Sequence, residues 1–124
     1  MKLEKFFKAI IDEDRASVVI CDKEHNIIYM NPAAVKNYEK RGGQSLVSKS
    51  IFDCHNSRSV AAIKEVVNAF EQNPNLNRVF TFHNEKQNKD VYMVALRDEG
   101  GELLGYYEKH EYRSPEIMKL YDME

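Results

Sequence analysis

The feature that most constrains the fold is a series of three strand-like runs in the last third of the chain. Residues 77–85, 91–98 and 102–113 each place every second side chain on the same face. A period of two residues is typical of β-strands that bury one face. The turn sequence Asp98-Glu99-Gly100-Gly101 separates the last two runs, so we expect a hairpin there.

Two short apolar runs nearer the start, residues 18–21 and 27–30, predict a second hairpin around the turn-forming residues 22–26. Two early strands and three late strands most simply form one five-stranded antiparallel sheet. The helices between them would then pack on one face of that sheet, which is an α+β arrangement.

Four segments have helical spacing. Residues 3–11 form an amphipathic helix, and a second helix begins with Asn31 as N-cap and Pro32 as its first residue, ending at Gly42 or Gly43. A third runs from Ser59 to about Gln72, capped by Asn56 or Ser57, and is stopped by Pro74. A short helix bearing Ile117, Leu120 and Tyr121 follows Ser114-Pro115. We therefore divide the chain into an N-terminal helix (1–14), a domain (15–113) and a C-terminal helix (114–124).

Composition excludes several classes of protein. The length of 124 residues fits one domain, and a net charge of -2 gives no basic surface for nucleic acid. No apolar run approaches the roughly 20 residues that a membrane span needs. Two cysteines do not make a disulfide framework, so we expect a cytoplasmic protein with reduced thiols.

Three stretches carry a family resemblance. The hairpin that leads into Asn31 and a helix of small residues resembles the opening of PAS domains. Arg97-Asp98 with Gly101, followed by Gly105 and Glu108, is similar to their ending. The stretch Cys-His-Asn-Ser-Arg-Ser-Val at 54–60 resembles the Cys-His-Pro-Pro-Lys-Ser motif of a bacterial PAS subfamily often joined to hemerythrin-like domains, although Asn-Ser stands in place of Pro-Pro. We expect a small stand-alone bacterial branch of the PAS family.

The resemblance implies a sensory module rather than an enzyme, with a small ligand or cofactor between the sheet and the helices. Members of this family bind haem, flavin, metabolites or fatty acids, and some bind nothing, so the fold does not identify the ligand. PAS modules are usually dimeric, and Phe6, Phe7 and Ile10 of the first helix are the expected contacts between two copies. The signal would pass through the homodimer or to a partner protein, without nucleic acid or membrane.

Cys54 and His55 are the first candidates for a binding site. His55 precedes a helix that would line the pocket, so it is a candidate axial ligand of haem iron. The alternative is that His55 bonds to loop backbone while Cys54 packs as a small apolar residue. A thiol redox protein or small enzyme centred on Cys54 is a third interpretation.

Tyr92 and Arg97 are the other candidates, because with His55 they would suit an anionic group of a ligand. Arg97 has a second interpretation, an ion pair with Glu108 across neighbouring strands. Strand register decides between them, since a shift of one residue moves every side chain to the other face.

Overall fold

The computed structural model describes residues 2–124. Its regular elements are α1 (Leu3–Glu13), β1 (Val19–Asp22), β2 (Ile27–Met30), α2 (Pro32–Asn37), α3 (Ser57–Gln72), β3 (Arg78–Asn84), β4 (Lys89–Arg97) and β5 (Leu103–Tyr112). Three short 3-10 turns, Glu39–Arg41, Gly43–Leu46 and Ile51–Cys54, connect α2 to α3. The predicted order of helices and strands is confirmed up to the end of β5.

The five strands form one antiparallel sheet in the order β2-β1-β5-β4-β3. The first and last strands of the chain are therefore neighbours at the centre of the sheet. β4 and β5 pair over their whole length, from Lys89 opposite Tyr112 to Arg97 opposite Leu103. This register confirms the predicted hairpin around residues 98–101.

The burial pattern of β4 identifies the inner face of the sheet. Lys89, Val91, Met93 and Ala95 are buried, and the residues between them are only partly covered. Val67 and Phe70 of α3 join this face in the core. The remaining buried members of the core are Val19, Cys21, Ile27, Met30, Ala34, Leu46, Leu103 and Tyr106.

The predicted helix over residues 114–124 is wrong. The segment has turns but no helix, and the side chains of Ile117 and Leu120 are 94% and 93% exposed. A helix this short needs tertiary packing, and these apolar side chains have none. The Glu116 carboxylate instead accepts bonds from the backbone N–H groups of Ile117 and Met118.

The second helix is shorter than its pattern indicates. It begins as predicted, with the Asn31 side chain accepting a bond from the Ala34 N–H, but it ends at Asn37. The chain then continues in 3-10 turns, with Gly42 and Gly43 at positive φ values of 127° and 53°. These turns place Tyr38 and Leu46 against the core.

Asn31 also connects α1 to the rest of the domain. The residue is 0% exposed. Its amide oxygen accepts bonds from the backbone N–H groups of Val18 and Ala34, each at 2.9 Å. Its amide nitrogen donates to three backbone carbonyls, those of Ile11, Ala16 and Asp14, at 3.0, 3.0 and 3.4 Å. One side chain therefore joins the end of α1, the start of β1 and the start of α2.

Candidate functional site

The structure places Cys54 and His55 at the end of a 3-10 turn, immediately before α3. The helix N-cap is Asn56, whose side chain accepts a bond from the Ser59 N–H at 2.9 Å. Ser57, the alternative cap, is the first residue of the helix. The cap accounts for the abrupt start of α3, since it satisfies a backbone donor that has no partner within the helix.

His55 faces the loop backbone through one ring nitrogen. Its Nδ1 lies 2.9 Å from the carbonyl oxygen of Ile51, so Nδ1 carries the proton and donates it to that carbonyl. The ring and Cys54 border a cavity of only about 10 Å³. Cavities that bind organic ligands have volumes of roughly 300–1,000 Å³, so the space beside His55 does not fit haem in this arrangement.

Cys54 packs against the core and is partly buried. Its carbonyl oxygen accepts a 2.6 Å bond from the Arg41 guanidinium. Because the Nδ1 of the neighbouring His55 already donates to Ile51, that atom does not serve as a base for the thiol. In the described residues, no group of three or more His, Cys, Asp or Glu side chains is arranged to hold a metal ion.

Cys21 is the less accessible thiol. It is fully buried on the inner face of β1, and burial raises its thiol pKa to about 12. We expect iodoacetamide at pH 8 to leave Cys21 unmodified in the native protein and to modify it after urea denaturation, because the thiolate is the reactive form. Peptide mapping by mass spectrometry would measure this. Native-state labelling of Cys21 as fast as in urea would contradict the burial.

Tyr92 and Arg97 do not meet His55. Tyr92 lies on the outer face of β4, where its hydroxyl accepts a 2.7 Å bond from Arg113 and its ring packs at an angle against Phe80. Tyr92 contacts these residues because β4 buries its odd-numbered residues on the inner face and directs Tyr92 to the outer face. The four predicted site residues are therefore not brought together, and only Cys54 and His55 share a cavity.

Arg97 holds the chain that leaves α3. Its guanidinium donates to backbone carbonyls of Phe70, Asn73, Leu76 and Gly101, and to the side-chain oxygen of Asn77. A cation at a helix C-terminus satisfies carbonyls that have no partner within the helix. The interpretation of Arg97 as an ion-pair partner of Glu108 is wrong, because the register places Met93 opposite Glu108 and Leu103 opposite Arg97.

The interior between the sheet and the helices contains a second small cavity, of about 20 Å³. Half of its polar lining residues are alternate residues of β5, namely Tyr106, Glu108 and His110, and the others are Ser17, Cys21 and Tyr38. A cavity of this volume has room for about one water molecule. The interior is therefore closely packed but polar on one side.

Burial affects the ionisable groups around this cavity. It raises the pKa of Tyr38 to about 12, and it also raises the pKa of Tyr106, whose hydroxyl lies 2.9 Å from the Nδ1 of His25. His110 has its Nε2 3.2 Å from a carboxylate oxygen of Glu108. The other ring nitrogen of His110, Nδ1, is buried and has no hydrogen-bond partner among residues 2–124.

Neither Glu108 nor His110 was predicted from the sequence to line a cavity. Their spacing of two residues within the β5 pattern does place them on the face that carries Tyr106, so the signal was present in the alternation. The inner face could not be told from the outer face there, because β5 carries polar residues on both faces from Glu108 onward.

Comparisons with known proteins agree with this fold. A family model described as the PAS fold matches residues 5–107. A search of curated protein sequences found no match. Among solved structures, a PAS domain from Colwellia psychrerythraea superposes with a TM-score of 0.66 at 13% identity, covering 90% of this chain and 98% of that one.

Two further structures are similar. The PAS domain of Bordetella pertussis BvgS has a TM-score of 0.63 at 15% identity and covers 93% of this chain and 89% of its own. The Aer2 receptor of Vibrio cholerae, described as a dual PAS-heme oxygen sensor, has a TM-score of 0.51 at 22% identity, with coverage of 76% and 90%. At these identities the likeness concerns the fold alone.

Proposed function

The chain belongs to the PAS family, and from this premise we propose that it is a sensory module that binds a small ligand and signals through association with a second copy or a partner protein. The observation that carries the proposal is the exposed apolar face of α1.

In the part of the chain that the structure describes, no helix has the length and apolar character of a membrane span.

α1 is amphipathic, yet none of its residues is buried. Phe6, Phe7 and Ile10 are 57%, 55% and 69% exposed on the side that carries Leu3. A contiguous apolar face in water favours association, because burying each apolar side chain lowers the free energy in proportion to the apolar area removed from water. We propose that this face packs against the same face of a second copy.

Two contacts couple α1 to the sheet, so a change in the domain can reach this surface. The amide nitrogen of Asn31 donates to the backbone carbonyls of Ile11 and Asp14 at the C-terminal end of α1. Between Ile11 and Asp14, the Asp12 carboxylate accepts bonds from Lys8 at 2.6 Å and from the hydroxyl of Tyr29 on β2.

The Asp12 contact makes this coupling dependent on pH. The Lys8 ammonium, and next the Tyr29 hydroxyl, hold the Asp12 pKa below its ordinary value of 3.8. A folded-state pKa below that of the unfolded chain means that the contact contributes its full stability above about pH 4, and that this contribution is lost as the pH falls further. We expect lower hydrogen-exchange protection factors for α1 amides at pH 3 than at pH 6.

The Asp12→Asn variant is the control, because it removes the charge at every pH. Its α1 protection factors at pH 6 should resemble those of the wild type at pH 3, and they should change less between the two conditions. Equal wild-type protection factors at pH 3 and pH 6 would show that Asp12 does not couple α1 to β2.

The ligand we propose is an organic molecule smaller than haem. The cavity beside His55 is only about 10 Å³, which is too small for a macrocycle. We propose no catalytic role for Cys54, because it packs against core residues and the Nδ1 atom of His55 is a hydrogen-bond donor to Ile51.

Native mass spectrometry of protein purified from its own host tests both parts of this function. We expect a species of twice the monomer mass and an additional mass that is released on denaturation. A spectrum of monomers without bound mass at high micromolar concentration would contradict the proposal.

A further inference from the structure

A groove of about 290 Å³ lies between the second half of α1 and the outer face of the sheet. Its walls include Ile10, Ile11 and Asp14 of α1, and Ile20, Leu96 and Tyr107 of the sheet. Leu96 and Tyr107 lie on the outer face, because β4 buries its odd-numbered residues and Tyr107 is opposite Val94. The groove therefore has mostly apolar walls and lies on the side of the sheet away from the core.

The groove is continuous with the exposed apolar face of α1. Ile10 belongs to both, since it lines the groove and is 69% exposed. The rings of Phe6 and Phe7 lie about one turn earlier on the helix and are also more than half exposed. A second helix that packs along the whole apolar face of α1 therefore also lies over the groove.

The spacing of residues along this face indicates the direction of the second helix. Leu3, Phe7, Ile10 and Asp14 follow one another at intervals of four, three and four residues, which places them on one side of α1. In a parallel pair each residue would face its own counterpart, so two Asp14 carboxylates would meet in an apolar interface, which is unfavourable. In an antiparallel pair, Phe7 faces Ile10, and Asp14 lies near Leu3 at the end of the interface.

The charges of α1 favour the same direction. The first half has Lys2, Lys5 and Lys8 against Glu4, and the second half with the residues after it has Asp12, Glu13 and Asp14 against Arg15. Lys8 pairs with Asp12 and Arg15 with Glu116 within one chain, so the direction depends mainly on the other charges. An antiparallel pair places each basic half beside an acidic half. Exposed ion pairs contribute little affinity, so these charges select the orientation while the apolar contacts supply the affinity.

The groove has a suitable size for an aromatic side chain of the second copy. In an antiparallel pair the first half of the second helix lies over the groove, and its Phe7 is the ring that faces Ile10. A cavity of about 150 Å³ holds a benzene molecule. The groove, at about 290 Å³, therefore has room for the Phe7 ring and part of Leu3.

We propose that the two α1 helices of the dimer pack antiparallel, and that Phe7 of each copy fills the groove between α1 and the sheet of the other. This inference rests on the proposed association through α1, and it adds the outer face of the sheet as the second part of the interface. Each copy then contributes one ring and one groove.

The dissociation constant of the dimer, measured by sedimentation equilibrium on the full chain, tests the groove. Leu96→Asn keeps a side chain of similar size but places an amide against the Phe7 ring, so we expect a dimer at least about tenfold weaker. Phe80→Asn is the matched control, because Phe80 is 60% exposed on the same face, opposite Tyr92 and two strands from β5. Its dissociation constant should stay within about twofold of the wild-type value.

Charge reversal tests the orientation. Lys2 and Glu13 are three helical turns apart and share one flank of α1, and equivalent flanks meet in an antiparallel pair. Lys2→Glu and Glu13→Lys should each weaken the dimer by about three- to tenfold at low salt, and the double variant should restore it. Both substitutions favour the α1 helix itself, because they place an acid at its N-terminus and a base at its C-terminus. A weaker dimer would therefore not result from loss of the helix.

Isotope-filtered NMR on a mixture of unlabelled and methyl-labelled chains observes the ring directly. We expect nuclear Overhauser effects between phenylalanine ring protons of one copy and the methyl groups of Ile20 and Leu96 of the other. A dimer without them, a Leu96→Asn dimer as tight as the Phe80→Asn dimer, or a double charge variant that stays weak would overturn this inference and leave association through α1 intact. A wild type that is monomeric at high micromolar concentration would overturn both.

Discussion

Substitution of Asn31 by alanine should lower the free energy of unfolding by at least about 3 kcal/mol. The side chain has no exposure and makes hydrogen bonds with five backbone groups, so its removal leaves several buried donors and acceptors unpaired, at about 1–3 kcal/mol each before relaxation. Urea denaturation followed by circular dichroism would measure the change as a lower midpoint with an unchanged slope.

Asn56→Ala is the matched control. Asn56 caps α3 in the same way that Asn31 caps α2, by accepting a bond from the N–H three residues later at 2.9 Å. It is exposed and its cap is one bond, so the expected loss is about 1 kcal/mol. If both variants lost the same amount, Asn31 would be an ordinary cap and not the junction of α1, β1 and α2.

Gly105→Ala should destabilise the domain by about 3 kcal/mol or more. A Cβ atom at this position would lie 2.0 Å from the carbonyl oxygen of Cys21, and 3.0 Å from the Cα of Asp22, on the adjacent β1. The neighbour is backbone of the central strand, so relief requires the β1–β5 ladder to separate. Overpacking of this kind usually costs 1–3 kcal/mol, and rigid backbone increases that cost.

Gly100→Ala provides the comparison, because its nearest neighbour would be an Asp98 carboxylate oxygen at 3.4 Å in an exposed turn. Its change in unfolding free energy should remain within about 0.5 kcal/mol. The two variants are measured by the same urea denaturation. A Gly105→Ala protein as stable as the Gly100→Ala protein would show that β1 and β5 are not packed as closely as described.

The parts of the fold that follow from local patterns were predictable from the sequence. The alternation in β4 and the Asn31-Pro32 helix start each depend on a few adjacent residues, and both are confirmed. The C-terminal helix was wrong because its apolar spacing is helical while nothing in the domain covers Ile117 and Leu120. Local pattern gives the preference of a segment, but tertiary packing decides whether a short helix forms.

The site was less predictable, because its residues meet through strand register. Tyr92 and Arg97 were grouped with His55 on chemical type alone, and the register places Tyr92 on the opposite face and Arg97 at the end of α3. His110 is significant for what it lacks, a partner for Nδ1, which no sequence pattern reports. The relation to the Cys-His-Pro-Pro-Lys-Ser subfamily stays a prediction.

We propose that α1 provides the association surface of this sensory module. Light scattering coupled to size-exclusion chromatography, on a concentration series of the wild type beside Ile10→Lys and Ile117→Lys, tests it most directly. Both isoleucines are exposed, but only Ile10 lies on α1. We predict a dimer for the wild type and for Ile117→Lys, and a monomer for Ile10→Lys. A wild type that stays monomeric at high micromolar concentration, or an Ile10→Lys protein that still dimerises, would show that α1 is not the association surface.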